Sequence, residues 1–143
     1  MLWRTPIAIV LVAVTVAIHA VGLAVLLKTL IKSHDLLPTR FWPIIRLFIR
    51  VTLWLIVIHI IEIATWGMFY YWLGCLPDAE SAFYFSGVTY ATIGYGDLVL
   101  PKAWRLLGPV EGLTGILMCG LSTGIFFAIV SRIYSACAEA KRK

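Results

Sequence analysis

The chain alternates long apolar runs with short polar breaks. The first apolar run lies within residues 1–30, the second within 43–73 and the third within 104–134. A helix needs about 20 predominantly apolar residues to cross the hydrocarbon core of a membrane, and each run is long enough. Pro43 suits the first turn of the second helix, and the aromatic residues before residue 73 are typical of a membrane interface. The pattern therefore predicts three transmembrane helices.

A shorter segment, residues 79–90, lies between the second and third runs. Asp78 is a suitable N-cap for a helix there, with Glu80 in its first turn. This helix is too short to cross a bilayer. Residues 92–97 read Thr-Ile-Gly-Tyr-Gly-Asp, and the alternating glycines do not favour continuation of the helix. We therefore expect a re-entrant loop, which is stable at membrane depth only where protein buries it or water lines it.

Composition agrees with a membrane protein. The chain is 62% hydrophobic with a mean hydropathy of +0.96, which is too apolar for a soluble domain of 143 residues. The net charge of +5 does not form a basic stripe interleaved with exposed aromatic residues, so we expect a lipid bilayer and no nucleic acid as partner. His59 and Glu62 are the one candidate catalytic cluster, and they lack a nearby nucleophile. An enzyme is therefore not expected.

The distribution of basic residues predicts the orientation. Three spans place the connector, residues 31–50, on the same side as the tail, residues 135–143. Arg4, Lys102 and Arg105 lie on the opposite side, and the positive-inside rule places the richer side in the cytoplasm. The N-terminus and the mouth of the loop then face outward. The basic residues on the cytoplasmic side are Lys28, Lys32, Arg40, Arg46, Arg50, Arg132, Lys141, Arg142 and Lys143.

The loop at residues 92–97 has the chemistry to bind a dehydrated cation. Backbone carbonyls replace the water shell when successive carbonyls point to one side, a conformation that glycine adopts easily. Gly94 and Gly96 supply that freedom, while Ile93 and Tyr95 can pack outward. One chain supplies only one wall, so a closed pore requires several copies.

The segment from Ser81 to Asp97, SAFYFSGVTYATIGYGD, resembles the pore helix and selectivity filter of tetrameric P-loop potassium channels. The resemblance covers residues 43–134 and is greatest to small bacterial members, with one additional N-terminal helix. It implies an all-α membrane protein with three transmembrane helices plus a re-entrant pore helix and filter loop, assembled as a fourfold channel. The partners are then three identical subunits, the location is the cell membrane, bacterial inner membrane in particular, and K⁺ is the permeant ion without any cofactor.

The resemblance also implies roles for individual residues. Asp97 lies at the outer mouth, and Val88 stands where some bacterial members have a glutamate that pairs with this aspartate. Tyr84 is therefore the candidate hydrogen-bond donor to Asp97. Either Gly115 or Gly120 matches the gating hinge. The ion-binding residues are Thr92, Ile93, Gly94, Tyr95 and Gly96, and the cavity-lining residues are Ile116, Cys119, Thr123 and Phe127.

Several titratable residues lie within the spans, where they are costly and are functional candidates. Glu62 and His59 share one helix face, and they form either a proton-sensitive pair behind the pore helix or a structural contact between helices, the second being favoured. Glu111 either braces the filter loop or pairs with Arg105. His19 is interpreted as a polar contact rather than a ligand.

Two alternative functions stay open at this stage. A non-selective cation channel usually departs from the Gly-Tyr-Gly string, so Tyr95 argues against it. A non-conducting regulatory subunit has the same sequence features as a conducting one. The chain has no regular arginine ladder for voltage sensing, and a separate regulatory partner is compatible with the sequence.

Overall fold

Four helices make up the fold in a computed structural model, which describes residues 4–32 and 41–140. They are α1 (Arg4–Lys32), α2 (Phe41–Trp72), α3 (Ala79–Tyr90) and α4 (Leu107–Ala140). Three of them are long and apolar enough to cross a membrane, over Pro6–Lys32, Phe41–Trp72 and Leu107–Glu139. No strand occurs within the described ranges. The expected all-α membrane fold is confirmed.

The short helix α3 has the bounds that the sequence predicts. Asp78 has extended backbone, and its side chain accepts hydrogen bonds from the Ser81 N–H at 2.7 Å and the Ser81 hydroxyl at 3.0 Å. This N-cap satisfies donors that the first turn of a helix leaves without partners. Helix α3 therefore begins at Ala79, directly after its capping residue.

Helix α4 differs from the prediction at both ends. It begins at Leu107 rather than at residue 104, because the Trp104 N–H bonds to the Pro101 carbonyl and the Leu107 N–H to the Trp104 carbonyl, which makes residues 101–106 a series of turns. The predicted end of this helix at residue 134 is also wrong, because residues 135–140 continue α4 and no glycine or proline interrupts them. Residues 33–40 of the predicted connector and residues 141–143 of the tail, on which the orientation partly depends, lie outside the described residues.

Helix α1 packs against both α2 and α4 of its own chain. Near the C-terminal end of α1, Leu26 and Leu30 join buried residues of α2 and α4 in one apolar cluster. Gly22 permits a close approach, because a Cβ there would lie 2.6 Å from the Ile58 side chain. The Trp54 indole N–H donates to the Gly22 carbonyl at 2.9 Å. The extra N-terminal helix is thus an integral part of the helix bundle.

Candidate functional site

The loop after α3 has an alternating backbone. Thr92, Gly94 and Gly96 have φ angles of 59°, 57° and 80°, so every second residue is in the left-handed region. Glycine adopts this conformation readily, whereas a β-branched residue such as threonine does so rarely and at a cost of about 1–3 kcal/mol. The alternation is the conformation that the sequence predicts for a row of carbonyls facing one side.

The start of this loop is tied to the end of α3. The N–H groups of Ile93 and Gly94 both donate to the Val88 carbonyl, at 2.8 and 3.1 Å, and the Thr92 N–H donates to the Thr89 carbonyl at 3.0 Å. These bonds satisfy carbonyls that a helix C-terminus otherwise leaves unpaired. Within the described part of the chain, no hydrogen bond uses the carbonyls of residues 92–96. They are available to a ligand.

Asp97 has the partner that the sequence predicts. The Tyr84 hydroxyl donates to Asp97 Oδ2 at 2.8 Å. This hydrogen bond raises the pKa of Tyr84 above the ordinary tyrosine value. Tyr84 thus anchors the carboxylate at the C-terminal end of the loop.

The predicted ion-binding and cavity-lining residues are exposed in the single chain. Tyr95 and Phe127 are both 69% exposed, and Ile93 and Ile116 are 54% and 57% exposed. Cys119 and Thr123 are also exposed, and the Thr123 hydroxyl donates to the Cys119 carbonyl at 2.8 Å within α4. These residues of the loop and α4 are therefore left uncovered by the chain's own helices.

The two candidate hinge glycines have different surroundings. A Cβ on Gly115 would lie 2.1 Å from the Tyr90 carbonyl oxygen, whereas a Cβ on Gly120 would meet nothing within 4 Å. Helix α4 is continuous through both positions. Gly115 therefore has a packing role at the end of α3, and a hinge at either glycine stays a prediction.

Comparison with protein families agrees with this geometry. A family model described as "Ion channel" matches residues 56–132, which is more than half of the chain. The chain belongs to this ion channel family. In the two other comparisons, no curated protein and no solved structure matched. The matched part of this ion channel contains about half of α2, all of α3 and the loop after it, and most of α4.

Glu111 joins three elements of the channel domain. It is fully buried, and it accepts hydrogen bonds from the Tyr70 hydroxyl at 2.7 Å and the Ser86 hydroxyl at 2.5 Å. The alternative of a pair with Arg105 is wrong, since the Arg105 side chain donates instead to the Leu100 carbonyl at 3.3 Å. Glu111 on α4 thereby links α2 to the middle of the pore helix rather than to the filter loop itself.

A second buried polar cluster lies at the inner end of the pore helix. Glu62 Oε1 is 2.9 Å from His19 Nδ1, and Glu62 Oε2 is 3.1 Å from His59 Nδ1 and accepts from the Tyr90 hydroxyl. Ser122 Oγ lies 3.0 Å from His59 Nε2 and 3.5 Å from His19 Nε2. These five residues, which we call the histidine cluster, bring all four helices of the channel together.

The histidine cluster supports the favoured interpretation of His59 and Glu62 as a contact between helices. Tyr90 and Ser122 were not recognised as members from the sequence, although each is a polar residue among apolar ones. His59 and Glu62 were recognised because residues three apart share a helix face. Which residues of other helices meet that face depends on helix register, which no local pattern reports.

Proposed function

We propose that this ion channel chain is one of four identical subunits of a potassium-selective channel that conducts K⁺ passively across the membrane. The observation that carries the proposal is the alternating left-handed backbone at Thr92, Gly94 and Gly96, within the Thr-Ile-Gly-Tyr-Gly string. Rings of backbone carbonyls in such strings replace the hydration shell of K⁺. The three residues with left-handed backbone all lie in this string, and two of them are glycines, which adopt that conformation readily.

Two further features support cation binding. The N–H groups of residues 92–94 are held by α3, whereas the carbonyls of residues 92–96 accept no hydrogen bond among the described residues. The C-terminal end of α3, at Tyr90, carries the partial negative charge of the helix dipole. Four such ends around an axis favour a cation at the inner end of the filter.

The exposed surface of the loop and α4 supports assembly into a ring. An unpaired backbone at membrane depth is stable only against protein or a water-filled cavity. Copies of the chain around an axis supply both, with Ile93 and Tyr95 packed outward and Ile116, Cys119, Thr123 and Phe127 facing the cavity. One chain supplies one filter loop, so a ring of chains completes the proposed ion site.

The proposed location is the cell membrane, bacterial inner membrane in particular. The charge distribution favours an N-terminus and a filter mouth outside, with the C-terminus in the cytoplasm. In this orientation Asp97 faces the external solution, where its carboxylate attracts cations. The lipid bilayer is then the solvent of the exposed faces of α1 and α2.

The test is flux of K⁺ and Na⁺ into liposomes that contain the purified chain, with Gly94→Ala as the filter variant. An L-residue in the left-handed region costs about 1–2 kcal/mol, and the filter repeats the cost in each subunit. Gly74→Ala is the matched control, because Gly74 has a φ of 60° against 57° for Gly94 and a Cβ meets nothing within 4 Å at either position.

We expect wild type and Gly74→Ala to pass K⁺ in preference to Na⁺, and Gly94→Ala to lose K⁺ flux or selectivity. Equal K⁺ and Na⁺ fluxes through the wild type would make the protein a non-selective cation channel. Absence of flux from a correctly assembled tetramer would make it a regulatory subunit. A particle mass of a monomer or dimer would refute the fourfold ring.

A further inference from the structure

The histidine cluster combines the ligand types that transition metals bind. One ligand atom from each of His19, His59 and Glu62 lies within 4.8 Å of the others. From this geometry we propose that these three side chains bind a divalent first-row transition metal of the Zn²⁺ type. The site lies apart from the filter and selects its ion by nitrogen ligands, which K⁺ does not prefer.

The distances agree with a metal site. Zn²⁺ binds imidazole nitrogen and carboxylate oxygen at about 2.0–2.2 Å with tetrahedral geometry, which places ligand atoms about 3.3 Å apart. The two histidine Nδ1 atoms lie 2.9 and 3.1 Å from the oxygens of Glu62, so a small expansion accommodates the ion. The Tyr90 hydroxyl, 3.1 Å from His59 Nδ1, is a further oxygen within reach.

Ser122 holds the two imidazoles in the orientation that a metal requires. A metal-bound histidine usually donates its other ring N–H to an acceptor. Ser122 Oγ has two acceptor lone pairs and lies near Nε2 of both His59 and His19. When both Nε2 atoms donate to it, both Nδ1 lone pairs face Glu62, and a cation between them completes the site.

Charge also favours a cation at this point. Glu62 is fully buried, and among the described residues no lysine or arginine lies within salt-bridge distance of it. A buried carboxylate is costly without a compensating charge. A bound divalent cation supplies that compensating charge.

An opening between α2 and α4 leads to the site. A cavity of about 300 Å³ between α2 and α4 is lined by His59 and Ser122, together with Thr52, Thr123 and apolar residues. Its surface is mainly apolar, so an entering ion has few polar side chains to contact besides those of His59 and Ser122. Thr123 is also one of the predicted cavity-lining residues, so this opening borders the proposed ion pathway.

The experiment measures Zn²⁺ binding to the full chain in lipid nanodiscs by isothermal titration calorimetry, with X-ray absorption at the zinc edge. We expect one Zn²⁺ per chain and nitrogen or oxygen ligands at about 2.0–2.2 Å. Removal of a ligand in His19→Ala or Glu62→Gln should weaken binding by more than about 100-fold, since loss of an outer hydrogen-bond partner alone costs about 10–100-fold. Ser122→Ala should cost about 10-fold.

His34→Ala is the control, because His34 is the one histidine of the sequence outside the histidine cluster. It should bind Zn²⁺ as the wild type does. Thermal unfolding without metal checks that each variant is folded, and Ser122→Ala keeps the test valid if a ligand variant fails to fold. Absence of Zn²⁺ binding in the wild type, sulfur ligands at about 2.3 Å, or equal affinities of Ser122→Ala and His34→Ala would overturn the proposal.

Discussion

Replacing Gly115 with alanine tests how closely α4 approaches the end of the pore helix. The new Cβ would lie 2.1 Å from the Tyr90 carbonyl oxygen and 3.0 Å from its carbonyl carbon. Cβ atoms essentially never come within 3.0 Å of another heavy atom, and the obstacle is backbone that cannot rotate away. The two helices must therefore separate by about 1 Å, in an interior that is otherwise close-packed.

The magnitude follows from two opposing effects. Overpacking of this kind costs about 1–3 kcal/mol, and a backbone obstacle places it in the upper part of that range. Alanine is favoured over glycine inside a helix by about 1 kcal/mol, which offsets part of the cost. We expect Gly115→Ala to destabilise each chain by about 1–2 kcal/mol. Tyr90 lies two residues before Thr92, so the separation also displaces the filter and should reduce K⁺ flux.

Gly120→Ala is the matched control for this prediction. It makes the same change in the same helix, but its Cβ meets nothing within 4 Å, so only the gain of about 1 kcal/mol from helix preference applies. Denaturant or thermal unfolding of the two variants in one detergent measures the difference. Equal stabilities, or a more stable Gly115→Ala, would refute the close approach of α4 to Tyr90.

Further predictions concern the outer mouth and the buried carboxylate. Tyr84→Phe should speed the loss of K⁺ flux with time, because Asp97 loses its donor, whereas exposed Tyr71→Phe should not. The pKa of Tyr84 is raised, so its hydrogen bond to Asp97 is fully present below the ordinary tyrosine pKa and is lost as pH rises through the raised value. Above that pH, the wild type and Tyr84→Phe should lose K⁺ flux at the same rate. Glu111→Gln should lower the free energy of unfolding by about 1–3 kcal/mol. The control Glu139→Gln changes an exposed glutamate and should have little effect. Unchanged unfolding of Glu111→Gln would contradict the hydrogen bonds from Tyr70 and Ser86.

The sequence predicted the features that depend on local patterns. The helices follow from the lengths of the apolar runs, and α3 begins at Ala79 because Asp78 caps it. The alternating backbone follows from the glycines at 94 and 96, because few other residues adopt positive φ. The Tyr84–Asp97 bond was predicted from the resemblance, because Val88 stands where some members have the glutamate that pairs with this aspartate.

Contacts between distant helices were less predictable. The shortest sequence separation between His19 and its partners is 43 residues, and Ser122 is 103 residues away. The partners are set by the relative rotation and height of α1, α2 and α4, which are properties of packing rather than of any one segment. The same reason explains why Glu111 bonds to Tyr70 and Ser86 rather than to nearby Arg105. Polarity within a span indicates that a partner exists, but not which one.

Three residues on one face of α1 determine how this helix packs against α2. Thr15, His19 and Gly22 are spaced by four and three residues, so they share one helix face. Thr15 accepts from the Trp66 indole at 2.9 Å, His19 meets Glu62, and Gly22 accepts from Trp54. Between membrane helices, small residues and hydrogen bonds drive association because lipid already satisfies apolar surface. These three contacts therefore hold α1 along α2, and the two at Thr15 and His19 are buried, so that removing either leaves a buried polar group without its partner.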